Sequence, residues 1–196
     1  MPKIVRTLAK VVLVYLAVFA VWLLAAKEYH LFLGKAAGKL IPLVEQCSVD
    51  RIWYDWWVRF EISFYHPATH QVLTIIGGYD TRAYGYPLVT FLVLALAFPG
   101  PGGWSKRKKV LLTVLGAALL FALYSVFIVV AVYEYLGQYA PSPLRENLIA
   151  RMVPLALFNR YEIPLLVFLG QAIPVSIWGG LFGWPLFAAK KSSSRL

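Results

Sequence analysis

A single cysteine, Cys47, stands among 196 residues, so the chain has no internal disulfide and no cysteine-rich metal site. Charge is scarce as well: 14% of residues are charged and nine are acidic, whereas a soluble domain runs at about 25% charged. Too few charges remain to cover a water-facing surface. Phosphate-cradling glycine loops, dinucleotide fingerprints and zinc-hydrolase motifs are also absent. Together these absences exclude a simple soluble globule, a disordered chain and a disulfide-stapled secreted module. Apolar residues take up the balance, at 60% hydrophobic and 16% aromatic, with mean hydropathy +0.68. The expected fold is mainly α and integral to a membrane: four transmembrane helices with short connections, a small extracytoplasmic β-hairpin and interfacial helices.

The first span is VVLVYLAVFAVWLLAA, Val11 to Ala26, flanked by Lys10 and Lys27. Its sixteen residues rise about 24 Å, and Leu8, Ala9 and snorkelling lysines extend it towards a hydrocarbon core of about 30 Å. A cleaved signal peptide is the competing reading, opposed by the length of the run and by Trp22 near its end. The second span is YPLVTFLVLALAF, Tyr86 to Phe98, started near Ala83 and stopped by PGPGG. Val110 to Val132 is the third and most secure. Ile163 to Ala189 is the fourth, kinked or closely packed by Pro164, Pro174, Pro185 and its glycines.

Four spans put both termini on one side. Ten of the nineteen basic residues and none of the nine acidic ones then fall at the N-terminus, in SKRKK and in the tail KKSSSRL. The net charge of +10 therefore lies wholly on one face, which the positive-inside rule makes cytoplasmic. This distribution fits the lipid bilayer as partner and removes the main support for nucleic acid. The domain plan is 1–26, N-terminus and first span; 27–82, an extracytoplasmic unit; 83–135, second and third spans with the basic loop; 136–162, an extracytoplasmic interfacial helix; and 163–196, fourth span and tail.

Residues 27–82 are too many for a simple connection. LFLGKAAGKLIPLVEQC sets Lys35 and Lys39 four apart among apolar residues, which fits either an amphipathic helix on the outer leaflet or a continuation of the first helix. In DRIWYDWWVRFEISFYH, Arg59, Glu61, Ser63 and Tyr65 alternate with Phe60, Ile62, Phe64 and His66, the pattern of a half-buried strand. With QVLTII, ending at Gly77-Gly78, it forms a hairpin from Val58–Tyr65 and Gln71–Ile76. Trp53, Trp56, Trp57, Phe60, Phe64 and Tyr65 are the candidate partner surface, with a bare interfacial anchor as the alternative. In 136–162, Ser142 caps a helix whose Leu148, Ile149, Met152 and Val153 dip into the bilayer.

Cys47 with His66 or His70 is the candidate for thiol catalysis, weighed against an inert cysteine. His30, His66 and His70 could ligate a metal with Asp50, Asp55 or Asp80, but His66 and His70 flank a turn and not one helical face, so the spacing gives weak support against turn or interfacial histidines, and no cofactor motif is present. The middles of the spans lack ionisable residues, so a small transporter requires oligomerisation.

The N-terminal span, the aromatic strand pair, YGYPLVTFLVLALAFP opening the second span, the basic turn SKRKK and YEIPLLVFLGQAIPVSIWG in the last resemble, in layout, the exosortase H-associated membrane protein family. That resemblance implies a non-catalytic accessory in a bacterial inner membrane, partnered by an exosortase-like peptidase that processes proteins with a C-terminal transmembrane sorting signal. Exosortases use Cys, Arg and His in that chain order on membrane-embedded segments. Here Cys47 precedes every later span and no histidine follows His70, so no catalytic triad carries over.

Overall fold

The computed structural model describes residues 3–44, 47–66, 70–98, 100, 104–139 and 172–183. Helices dominate, joined by one small sheet. The order is α1 (Lys3–Val44), β1 (Cys47–Tyr54), β2 (Trp57–His66), β3 (Gln71–Asp80), α2 (Thr81–Ala97) and α3 (Lys106–Tyr139). α4 (Ala172–Gly183) closes the order and ends in a π-helical turn at Gly179–Gly183. The interfacial helix expected in 136–162 and the flanks of the fourth apolar run lie outside the described residues, apart from the end of α3.

The chain separates into two compact units. One comprises 1–26, 84–121 and 168–196; the other comprises 27–83 and 122–167. α1 and α3 each contribute to both.

In the first unit, Phe91 of α2 packs so closely on α3 that a Cβ at Gly116 would lie 2.1 Å from its ring. Lys10 Nζ donates to Ala97 O at 2.6 Å, satisfying a carbonyl that the end of α2 leaves without a helical partner. Trp178 Nε1 donates to Phe98 O at 3.2 Å, and the Trp104 and Phe182 rings lie 6.2 Å apart; these contacts tie α4 to the α2–α3 connection. Even so, Leu8, Leu13, Leu16, Leu23 and Leu24 of α1 and Val110, Leu111 and Val114 of α3 remain exposed.

Two helices are long and apolar enough to cross a membrane, α1 over Ile4–Leu43 and α3 over Lys106–Val132. The apolar segments Gly85–Ala97 and Ala172–Gly183 are shorter and fall below the roughly 20 residues a span takes. The expectation of four spans therefore reduces, among the described residues, to two helices of spanning length. Of the most apolar stretch of α1 only 6% is buried, the reverse of what a core helix of a soluble domain presents.

In the second unit the sheet is a three-stranded antiparallel meander, β1-β2-β3. The expected two-stranded hairpin is thus corrected. Cys47–Tyr54 supplies a third strand, and β3 runs through Gly77 and Gly78 to Asp80. A lone hairpin is marginal in water; the third strand and a helix remove that difficulty. The helix is α1 itself, 42 residues long and unbroken, which selects continuation over a separate helix lying on the bilayer. Its seating depends on two glycines one turn apart. A Cβ at Gly34 would lie 2.6 Å from Val58 Cγ1, and one at Gly38 would lie 2.7 Å from Ile52 Cδ1. Interior glycines cost a helix about 1 kcal/mol each relative to alanine, and here they let strand side chains touch the helix backbone. Leu33, Ala37 and Ile41 are fully buried in the same stretch of helix, as are Val58, Phe60 and Ile62 of β2.

Candidate interaction surface

Because side chains alternate along a strand, the sheet has two unlike faces. Val58, Phe60, Ile62 and Phe64 of β2 form the buried one, joined across the ladder by Ile52 of β1 and Tyr79 of β3. Phe60 and Phe64, expected on a partner surface, are therefore core residues and unavailable to a partner. The remaining four candidates, Trp53, Trp56, Trp57 and Tyr65, are accessible, but they do not form one cluster. Tyr65 lies eight residues along β2 from Trp57, about 26 Å at the usual strand rise.

The tryptophan end is built on the turn between β1 and β2. Trp56 stands at its tip between Asp55 and Trp57, with Asp55 N donating to Trp57 O at 3.0 Å and Tyr54 pairing Val58 next along the ladder. Asp55 also holds the Arg59 guanidinium, Nε to Oδ2 at 2.8 Å and to Oδ1 at 3.1 Å. Trp56 has φ +72°, a left-handed conformation that glycine or asparagine normally supplies. A bulky side chain there carries strain of about 1–2 kcal/mol. Trp56 is 82% exposed and Trp57 42%, so both present aromatic surface on the outside of the turn. Trp53, half-buried, opposes Arg59 and carries Arg51 over its ring at 5.4 Å from the centroid.

At the far end, Tyr65 Oη and His70 Nδ1 lie 2.6 Å apart across the β2–β3 turn, with Tyr65 59% exposed and His70 at φ +54°. Between the two ends a hydrogen-bonded row crosses the outer face. Ser48 Oγ donates to Asp50 Oδ1 at 2.6 Å, and Ser63 Oγ donates to Asp50 Oδ2. Because a carboxylate only accepts, the Ser63 proton points to Asp50, so Thr74 is the donor in its 2.9 Å contact with Ser63. Asp50 interrupts the ladder, since Val49 pairs Ile62 while Arg51 pairs Glu61; the two serines fix this bulge. Their hydrogen bonds, Ser48 first and then Ser63, hold the Asp50 carboxyl below the usual carboxylate range.

The residues named for chemistry are dispersed. Cys47 opens β1 opposite Phe64, and His70 is engaged with Tyr65 in an exposed turn. His30 is buried in α1, with the Tyr54 ring stacked at 6.4 Å, the Tyr29 ring edge-on at 5.5 Å, and its backbone oxygen accepting from Tyr79 Oη at 3.1 Å. The side chains of His66 and Asp80 lie outside the description. Among the described residues no three of His, Cys, Asp and Glu gather into a metal-binding group. Sequence reasoning missed the groove beside β1, lined by Phe32, Ala36, Val49 and Ile52 with Lys35 and Lys39. Its only sequence signal was the pair of lysines four residues apart.

Comparison with family models, curated proteins and solved structures finds no match for this chain.

Proposed function

We propose that the chain is a non-catalytic accessory protein of a bacterial inner membrane, a multi-pass protein with both termini cytoplasmic, whose extracytoplasmic sheet docks a membrane-bound partner. The layout shared with exosortase H-associated proteins makes an exosortase-type sorting peptidase the partner of choice. The observation that carries the reading is Trp56, a large aromatic held in a strained left-handed turn with its ring 82% exposed. Strain of this kind clusters at functional positions, and exposed tryptophan is the residue type richest in binding energy at interfaces. Trp57 adjoins it, and Arg51, Trp53 and Arg59 extend the surface along the outer face. With Phe60 and Phe64 assigned to the core, the docking surface contracts to the tryptophan end.

The test is copurification from membranes with a co-expressed exosortase-type peptidase. Trp56→Ala with Trp57→Ala is expected to abolish recovery of the peptidase at an unchanged membrane level of the variant chain. Undiminished recovery overturns the assignment.

A further inference from the structure

A second surface of the sheet-bearing unit is independent of the tryptophan end and has different chemistry. A groove of about 470 Å³ runs between α1 and β1, within the size range of small-molecule sites. Its walls are apolar: Phe32 and Ala36 from the helix, Val49 and Ile52 from the strand. Its polar groups are Lys35 and Lys39 alone, both cations. They sit one helical turn apart, so their side chains emerge as neighbours on one face. Both are exposed, and among the described residues neither forms a salt bridge, while the one ion pair present is Arg59 with Asp55. Among the described residues no carboxylate lines the groove, and the charge at its rim is positive. Phe32, 64% exposed, adds an aromatic side chain to the same wall.

We infer that this groove binds an anionic phospholipid, with one acyl chain along Phe32, Ala36, Val49 and Ile52 and the phosphate held between Lys35 and Lys39. An apolar trough with a doubly cationic rim and no acid complements a molecule that joins a hydrocarbon chain to a negative headgroup. A zwitterionic lipid offers the same chain with less net charge, and a soluble anion offers charge without the chain. The fold creates the trough: Gly38 removes the side chain that would otherwise stand 2.7 Å from Ile52 Cδ1.

The experiment is native mass spectrometry of the full chain released from zwitterionic micelles supplied with phosphatidylglycerol or phosphatidylcholine of identical acyl chains. The wild-type chain is expected to retain phosphatidylglycerol at least fivefold over phosphatidylcholine. Lys35→Gln with Lys39→Gln is expected to bring the two lipids to parity, and Ala36→Trp, which fills the trough, to cut phosphatidylglycerol retention at least fivefold. Equal retention by the wild-type chain overturns the proposal, as does a lysine double variant that keeps the preference. Full phosphatidylglycerol retention by a folded Ala36→Trp chain also overturns it, because the headgroup is then attracted without a chain in the groove. If both variants keep the lipid and lose a copurifying polypeptide instead, the occupant is a protein segment and the lipid assignment is wrong. Inorganic phosphate displacing the lipid from the wild-type chain at millimolar concentration would show that the anion alone is recognised, which contradicts the amphiphile. Both lysines are exposed, so their double variant carries the test even if Ala36→Trp fails to fold.

Discussion

α1 places the same kinds of residue in two environments. Over its first part Leu13, Leu16, Leu23 and Leu24 stand exposed, while over its last part Leu33, Ala37 and Ile41 are fully buried. Leucine recurs in both stretches, although Leu13 to Leu24 is free of charge while the last part carries charge towards its exposed side, at Lys35 and Lys39. The difference lies in what completes each surface. The last part has its own sheet, seated on Gly34 and Gly38, whereas along the first part large apolar side chains stay exposed from Ile4 to Leu24. Exposure of this kind suits a helix long and apolar enough to cross a membrane.

The widest gap between the two regions is in truncation cost. Phe60→Ala in the sheet core, where the ring is fully buried, is expected to destabilise the sheet-bearing unit by about 3–5 kcal/mol. Leu24→Ala, at a side chain 87% exposed, is expected to change stability by less than about 1 kcal/mol. Hydrogen exchange of β2 amides in micelles measures both. Equal costs would mean that the exposed face of α1 is covered by protein, and the contrast would collapse.

The helix–sheet seam comes next. Gly34→Ala sets a methyl 2.6 Å from Val58 Cγ1, and overpacking against a stiff β-branched side chain costs about 1–3 kcal/mol. The same substitution in a Val58→Ala background is expected to be near neutral or stabilising, because room is restored and alanine is the better helix former. Additive losses in the double variant would show that the glycine is not there for the strand.

Much of this contrast is visible in the residues alone, and the misses have physical causes. β2 was legible because its alternation is uninterrupted from Trp57 to His66. The same alternation assigned Phe60 and Phe64 to the inner face, which their grouping with the tryptophans overlooked. β1 was not legible, because the bulge at Asp50 shifts the period: Val49 faces in, Asp50 and Arg51 do not, and Ile52 faces in again, so a pattern of two becomes a pattern of three. β3 continued past Ile76 because its glycines let strands approach where a side chain would collide; a Cβ at Gly78 would lie 2.8 Å from Val58 O. The lysines of α1 are exposed, and the side of the helix that carries Gly34 and Gly38 meets the sheet. The strain at Trp56 had no sequence signal, since a turn residue at positive φ is expected to be asparagine or glycine.

That turn gives a smaller effect of opposite sign. Trp56→Asn places a residue tolerant of positive φ where tryptophan is strained, so thermal unfolding of the sheet-bearing unit is expected to be stabilised by about 0.5–1 kcal/mol. Partner recovery should fall at the same time. A destabilised Trp56→Asn chain would mean that the ring packs on the protein and is not offered to a partner.

The smallest effect belongs to Asp50, at the surface on the outer face. Ser48 and Ser63 hydrogen-bond its carboxylate and lower its pKa in the folded chain, so the unfolded chain takes up the proton first as pH falls. The contribution is therefore complete above the unfolded value of about 4 and fades below it, as pH drops through the depressed folded value. Asp50→Asn is expected to unfold at a slightly lower temperature than the parent near neutral pH and to converge with it in acid. A gap between the two that widens on acidification would have the wrong sign for a carboxylate stabilised as the anion, and would sever the serine row from the bulge it is taken to fix.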